Sequence, residues 1–198
     1  MQAVRREPVN TNMEHSPKQA NVEKKAIRAA IEKIVVNAGI GRASGQPNFE
    51  KKVLPQILRD VAAICGQASQ VRRSRKSIAG FKMREGQVVG LRATLRKAKM
   101  VDFFERLVKM VLPRVKDFQG IDLNAIDAKG SLNIGFKEQF VFPEINPEES
   151  LFTFSLGANI VPRVRQREKA VELYRALGVP LKKLHVARGK SRGARRNK

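Results

Sequence analysis

Few residues of this 198-residue chain have the types and spacing that bond-making chemistry needs. The two histidines, His15 and His185, lie in polar terminal segments, so neither a metal cluster nor a Ser/His/Asp relay can be assembled around them. Cys65 is the only cysteine and sits between Ile64 and Gly66 at the end of a helical pattern, which reads as a buried structural thiol. Glu148 and Glu149 are adjacent acids in a polar turn with no partner base. The Gly39–Gly45 run follows a β-branched segment and imitates a dinucleotide loop. Its spacing, however, is G-x-G-x-x-x-G, one residue too long, and Gln46-Pro47-Asn48 delays the helix that would receive a pyrophosphate. Asp60 falls inside a helical pattern where it cannot meet a ribose, and no Lys-Ser or Lys-Thr follows the glycines. A backbone turn is the better reading. No enzyme, cofactor, metal or small-molecule substrate is expected.

The chemistry that remains is electrostatic. Forty Lys and Arg against 18 Asp and Glu give a net charge of +22. A charge of this size speaks of partners rather than fold. Nucleic acid is the favoured partner, because each neutralised phosphate releases counterions. The densest segment is Arg72–Lys99, RRSRKSIAGFKMREGQVVGLRATLRKAK, with ten Lys or Arg and one acid, Glu85. A basic run comes first: Arg72, Arg73, Arg75 and Lys76. A Gly-bounded tip follows, from Ala79 to Gly86. Then Val89, Leu91, Ala93 and Leu95 alternate with Gly90, Arg92, Thr94 and Arg96, the period of a strand with one apolar and one polar face.

The elements that must position these groups are legible from periodicity. Residues 1–30 read as a polar extension with a short helix at its end, from about Val22 to Ala30. Ile31–Asn37 is a β-branched strand. Asn48 is placed to cap a helix carrying Phe49, Val53, Ile57, Val61 and Ile64, closed by Gly66, with Pro55 either kinking it or marking its first turn. A second helix after Lys99 carries Phe103, Phe104, Leu107, Met110 and Val111 and stops at Pro113. Residues 131–142 are expected as a strand, and Leu151–Ile160 alternates cleanly. A third helix runs from about Gln166 to Leu177. Helices and strands mix without strict β-α-β order, so the predicted fold is α+β: a mostly antiparallel twisted sheet, helices packed on one face, the other open. That open face collects Lys33, Asn37, Arg92, Thr94, Arg96, Thr153, Ser155 and Asn159, small polar or basic groups that either face solvent or, as the net charge favours, meet RNA backbone and 2′-OH.

One segment opposes the charge. Lys137–Glu149, KEQFVFPEINPEE, has four acids and one base, so RNA should be repelled there, and the segment faces either solvent or, at least as readily, a basic protein partner. The end reverses the sign again. Lys182–Lys198 holds eight Lys or Arg and no acid, and residues 184–198 read as a disordered basic tail. The lone cysteine suggests a reducing compartment. No apolar run approaches a membrane span, and Glu7 and Glu14 argue against a transit peptide, so a cytoplasmic protein without a membrane partner is expected.

Six segments in register carry a family resemblance: Ile31–Gly41 (IEKIVVNAGIG), Ile64–Gln67 (ICGQ), Arg75–Arg84 (RKSIAGFKMR), Phe103–Leu107 (FFERL), Pro113–Gly120 (PRVKDFQG) and Gly135–Ile145 (GFKEQFVFPEI). Over roughly residues 31–183 the chain resembles the bacterial form of large-subunit ribosomal protein L-five. The resemblance implies a place in the central protuberance of the large subunit, on the ribosome in the cytoplasm. It implies 5S rRNA binding, docking of that RNA to large-subunit rRNA, a touch on P-site tRNA and a bridge to a basic protein of the small-subunit head. Carried over, 5S rRNA would be held by Asn37, Gln67, Arg75, Ser77, Arg92 and Thr94; the basic run and the open strand face add Lys33, Arg72, Arg73, Lys76 and Arg96 as expected rRNA-binding residues. The tip at Ala79, Gly80, Phe81, Lys82 and Arg84 would approach tRNA. Phe118, Gln119, Gly120, Glu138 and Glu144 would face the small subunit. Family members usually begin with a longer basic helix that also contacts 5S rRNA, and the segment before Ile31 matches it poorly. A free-standing RNA chaperone or RNA-binding regulator using the same face is the alternative; an enzyme of nucleotide metabolism would rest on the Gly39–Gly45 turn alone.

Overall fold

The structure is a computed structural model that describes residues 17–182 apart from 42, 46–47, 82 and 151. The expected tail and the first sixteen residues of the extension lie outside the described residues. In chain order the main elements are helix α1 (Pro17–Ala30), strand β1 (Ile31–Gly39), helix α2 (Leu54–Cys65), strands β2 (Gln70–Arg73) and β3 (Val88–Leu95), helices α3 (Lys97–Arg106) and α4 (Leu112–Arg114), strands β4 (Leu132–Phe136) and β5 (Ser155–Pro162), and helix α5 (Arg167–Ala176). Every strand pairing is antiparallel, in the order β2-β3-β1-β5-β4. The α+β class with an open sheet stands.

Alternation builds one core. Ile34, Val36 and Ala38 of β1, Leu91, Ala93 and Leu95 of β3, and Leu156, Ala158 and Ile160 of β5 are all buried in a single cluster. Ile57, Val61 and Ile64 of α2 and Met100, Phe103 and Phe104 of α3 cover them. Phe142 stacks on Phe103 at 6.3 Å and meets Phe136 edge-on at 5.3 Å, the offset and T-shaped geometries aromatic quadrupoles favour.

Two prolines shape the helices. Wide π turns at Phe49–Val53 and Leu107–Val111 run directly into Leu54-Pro55 and Leu112-Pro113. Proline offers no N–H and its ring crowds the carbonyl four residues back, so a wider turn lets the chain pass without ending the helix. Helical structure therefore continues through Pro113 to Arg114 instead of stopping there. The same widening rotates Met110 out to 53% exposure, not into the core as helical spacing suggested.

Other expectations shift locally. α1 begins at Pro17 rather than near Val22. Asn48 sits at the left-handed φ of 62° and makes no side-chain cap; its carbonyl instead accepts from Lys51 and Lys52. Pro55 marks the first turn of α2, and Gly66 closes it at φ 65°. The strand expected over 131–142 ends at Phe136, and Phe140 lies in a 3-10 turn, Gln139–Val141. In β3 the buried phase slips: a bulge pairs Arg72 with Gly90 but Arg73 with Val88, so Val88 is buried and Val89 only half-buried.

Candidate nucleic-acid interface

Away from the helices, cross-strand register assembles the open face row by row. Thr94, Val35, Asn159 and Asn133 form one row. Arg92, Asn37, Gly157 and Gly135 form the next. Gly90, Gly39 and Ser155 follow. At the other end Lys33 stands opposite Val161, with Arg96 just past the last β1–β3 pair. Glycines thus leave part of this face without side chains, while Arg92 and Arg96 are exposed beside it. Val35 lies on this face outside the core cluster, yet is only 7% exposed because its neighbours cover it.

A chain of side-chain amides crosses three strands. The Asn37 Nδ2 donates to Asn159 Oδ1 at 2.7 Å, the Asn159 Nδ2 donates to Asn133 Oδ1, and the Asn133 Nδ2 reaches the Ala125 carbonyl at 3.5 Å. Each donor points the same way. The chain is therefore polar, and its free end is the acceptor Oδ1 of Asn37 in the row of Arg92. Gln67 enters from the α2 end, donating from Nε2 to the Thr94 carbonyl at 3.0 Å. Asn159 was legible as an open-face residue; its place in a relay, opposite Asn133 and diagonal to Asn37, was not, because cross-strand contacts depend on register.

The basic run and the tip form a hairpin extension of β2 and β3. Arg72, Arg75, Lys76, Ser77, Ala79, Gly80 and Arg84 are exposed along it. Arg73 is exposed as well but tethered: its Nη1 donates to the Gly86 carbonyl at 3.0 Å and lies 3.7 Å from Glu50. Ile78 and Met83 bridge with two backbone hydrogen bonds, and the Ser77 hydroxyl donates to the Met83 carbonyl at 3.0 Å. Lys82 and the Phe81 side chain lie outside the described residues. At the base, Gln87 Nε2 donates to Ser44 Oγ at 2.6 Å and the Ser44 hydroxyl donates to the Gly41 carbonyl at 2.7 Å. The glycine-rich turn after β1 thus anchors the hairpin base.

The residues expected to face the small subunit fall into two local structures. Phe118 is half-buried against the core, Gln119 is exposed, and Gly120 occupies φ 98°. A side chain at 120 would approach the Pro180 carbonyl to 3.2 Å, so glycine fits the turn. Glu138 is exposed, whereas Glu144 is turned inward to Arg106, whose Nη2 also donates to the Ile64 carbonyl at 3.1 Å. The intervening loop is fixed by a residue the sequence did not single out. Gln139 is fully buried, donates to Ser150 Oγ at 3.0 Å and the Phe152 carbonyl at 2.8 Å, and accepts from Phe154 N at 2.9 Å.

Burial shifts the titration of three described groups, and Asp60 is raised by it while its carboxylate accepts from the Ser150 hydroxyl at 3.1 Å. Burial pushes the Cys65 thiol up to about 12, the state of an inert core cysteine. Burial also raises the Tyr174 phenol, which instead donates its hydrogen within reach of the Gly130 and Ile160 carbonyls, at 2.9 and 3.2 Å. Among the described residues no group of His, Cys, Asp and Glu could hold a metal ion, and no helix is long and apolar enough to cross a membrane.

A basic α+β scaffold with an amide-lined open face is the class these features define. Residues 28–84 match the family described as Ribosomal protein L5, and residues 88–181 match the C-terminal part of the same ribosomal family. Among similar proteins, the large ribosomal subunit protein uL5 of Rubrobacter xylanophilus is 44% identical over 149 residues, 75% of this chain and 81% of that protein. The protein of the same name from Syntrophomonas wolfei is 40% identical over 77% of this chain and 83% of its own length. That from Chlorobium luteolum is 38% identical over 76% and 75%. The chain belongs to the ribosomal protein L5 (uL5) family, a family of structural proteins of the large ribosomal subunit and not of enzymes.

Proposed function

We propose that the chain binds 5S rRNA with the open sheet face and docks it to large-subunit rRNA in the central protuberance. The hairpin tip reaches towards P-site tRNA, and the Phe118–Gly120 turn and the loop of Glu138 offer a bridge to a basic protein of the small-subunit head. The observation that supports this best is the face itself: a floor of Gly39, Gly90, Gly135 and Gly157, a fixed acceptor on Asn37, and exposed Arg92 in its row. Glycine lets a bulky sugar-phosphate backbone approach, an oriented acceptor suits a 2′-OH or a base amine, and guanidinium suits phosphate. The bridge reading draws on the exposed Glu138, because Glu144 already has Arg106 as its partner.

The test is affinity for isolated 5S rRNA at matched salt after changing Arg92 and Thr94 to Ala. For the arginine alone, weaker binding and a slope of log K against log salt reduced by about 1 are expected. Unchanged affinity would refute an RNA-facing sheet.

A further inference from the structure

We propose that Arg163 and Arg165, with Lys33 beside them, hold the phosphate backbone of an RNA segment at the end of β5, beyond the amide-lined face. Open-face positions on β5 are odd-numbered, from Ser155 to Val161, and Arg163 is the next in that phase. The strand ends there for a covalent reason: Pro162 has no N–H to continue a ladder. The chain is nonetheless held, because Arg163 N donates to the Ala30 carbonyl at 2.9 Å. Val164 is half-buried and its carbonyl lies close to Gly130, so the two flanking arginines stand exposed on either side of an anchored residue.

Arg165 is oriented by one contact, Nη2 to Glu32 Oε2 at 2.6 Å, and the other oxygen of Glu32 lies 3.7 Å from Lys33 Nζ. An ion pair whose arginine side chain is 56% exposed contributes little to stability. It does fix a guanidinium that retains unused donors. One carboxylate between two cations leaves the site positive before Arg163 is counted. Arg167 follows, its Nη2 on the Leu123 carbonyl at 3.1 Å. Glu168 is the one acid of the run, in the first turn of α5, where a helix favours negative charge. All three basic residues at 163, 165 and 167 are arginine, whose planar fork meets phosphate in a bidentate way that lysine cannot. Lys33 pairs in register with Val161, which joins this corner to the face described above. An RNA occupant rather than an acidic protein therefore rests on the proposed RNA-binding reading of that face.

The experiment measures binding of the full chain to 5S rRNA and, separately, to large-subunit rRNA over a salt series, with nuclease footprints of each. Arg163→Ala combined with Arg165→Ala should lower affinity at least tenfold for one of the two RNAs. It should also reduce the slope of log K against log salt by about 2, since each duplex phosphate contact contributes about 0.9. The footprint lost should differ from that lost on changing Arg92 and Thr94. Arg163→Ala alone, which removes no side-chain contact of the fold, should reduce the slope by about 1 and guards against misfolding of the double variant. Unchanged affinity and slope for both RNAs would overturn the proposal, including in favour of a protein occupant. If the Arg92 and Thr94 variant still loses binding in the same series, the reading of the sheet face survives that failure.

Discussion

The relay Asn37–Asn159–Asn133 makes a prediction that separates positioning from contact. On the proposed reading, Asn37 offers RNA its Oδ1 only while its Nδ2 is engaged by Asn159 at 2.7 Å. Asn159→Ala removes that partner without touching any charge. The Asn37 amide is then free to rotate or invert, and a mixture of orientations presents N–H where an acceptor is needed. A single neutral hydrogen bond is worth about 1 kcal/mol net. On that scale Asn37→Ala should weaken 5S rRNA binding by about fivefold to tenfold, and Asn159→Ala by about fivefold. The double variant should cost no more than Asn37→Ala alone, within about 0.5 kcal/mol, because residues acting through one interaction are not additive. Filter binding at fixed salt, with thermal melts to confirm folding, reads this cycle directly. The salt dependence should be unchanged in all three variants, since no phosphate contact is removed. Additive losses would mean that Asn159 meets the RNA itself. An Asn159→Ala variant with full affinity would mean the relay positions nothing, and either result refutes the reasoning.

Three further outcomes follow from the geometry. Glu138→Lys should impair joining of the subunits and leave 5S rRNA affinity near normal, whereas Glu144→Gln should mainly lower the melting temperature because it breaks the pair with Arg106. Sedimentation of reconstituted subunits distinguishes the two. Gly130→Ala should destabilise by about 2 kcal/mol or more, combining strain at φ 81° with a Cβ only 2.7 Å from that of Ala170, as read by denaturant titration. Cys65 should resist alkylation at pH 8 until the chain unfolds. Its folded value of about 12 lies above the ordinary 9.0, so the folded state keeps its proton longer and stability should fall as pH rises above 9.0. Alkylation of the native protein at the rate of a free thiol would contradict this.

How far the sequence reached depended on the range of the interaction involved. Period-two runs in β1, β3 and β5 named the buried and open phases, since alternation is set by the chain itself. Gly66 marked a helix end for the same local reason, adopting positive φ. What failed was decided elsewhere in the molecule. Whether Val88 or Val89 is buried depends on the bulge opposite Arg72 and Arg73. Met110 is exposed because the turn before Pro113 widens, which shifts the helical phase after the pattern has been counted. β2 is short and its side chains are mostly exposed, so it carries no apolar signature and is a strand only because β3 pairs with it. Of the site, residue types on the open face were legible, but the amide relay and the inward turn of Glu144 are tertiary facts.

The alternation that makes the fold legible also makes its two duties separable. In β1 the even-numbered residues Ile34, Val36 and Ala38 are buried in the core, while Lys33, Val35, Asn37 and Gly39 floor the opposite face. On the proposed RNA-binding reading, a substitution in the first set should act on stability and reach RNA only through the folded fraction. One in the second should act on binding, with Val35 the exception because its neighbours bury it. A bulge or register slip would exchange the sets, because one residue of displacement turns every side chain over. The register of β1 is pinned on both sides, by β3 and β5, and the irregularity in the β1–β5 ladder is confined to Ile31 and Lys33 at the basic corner. The amide relay therefore crosses the part of the sheet where register is best defined, and the arginine corner begins where the ladder ends and longer, adaptable side chains take over.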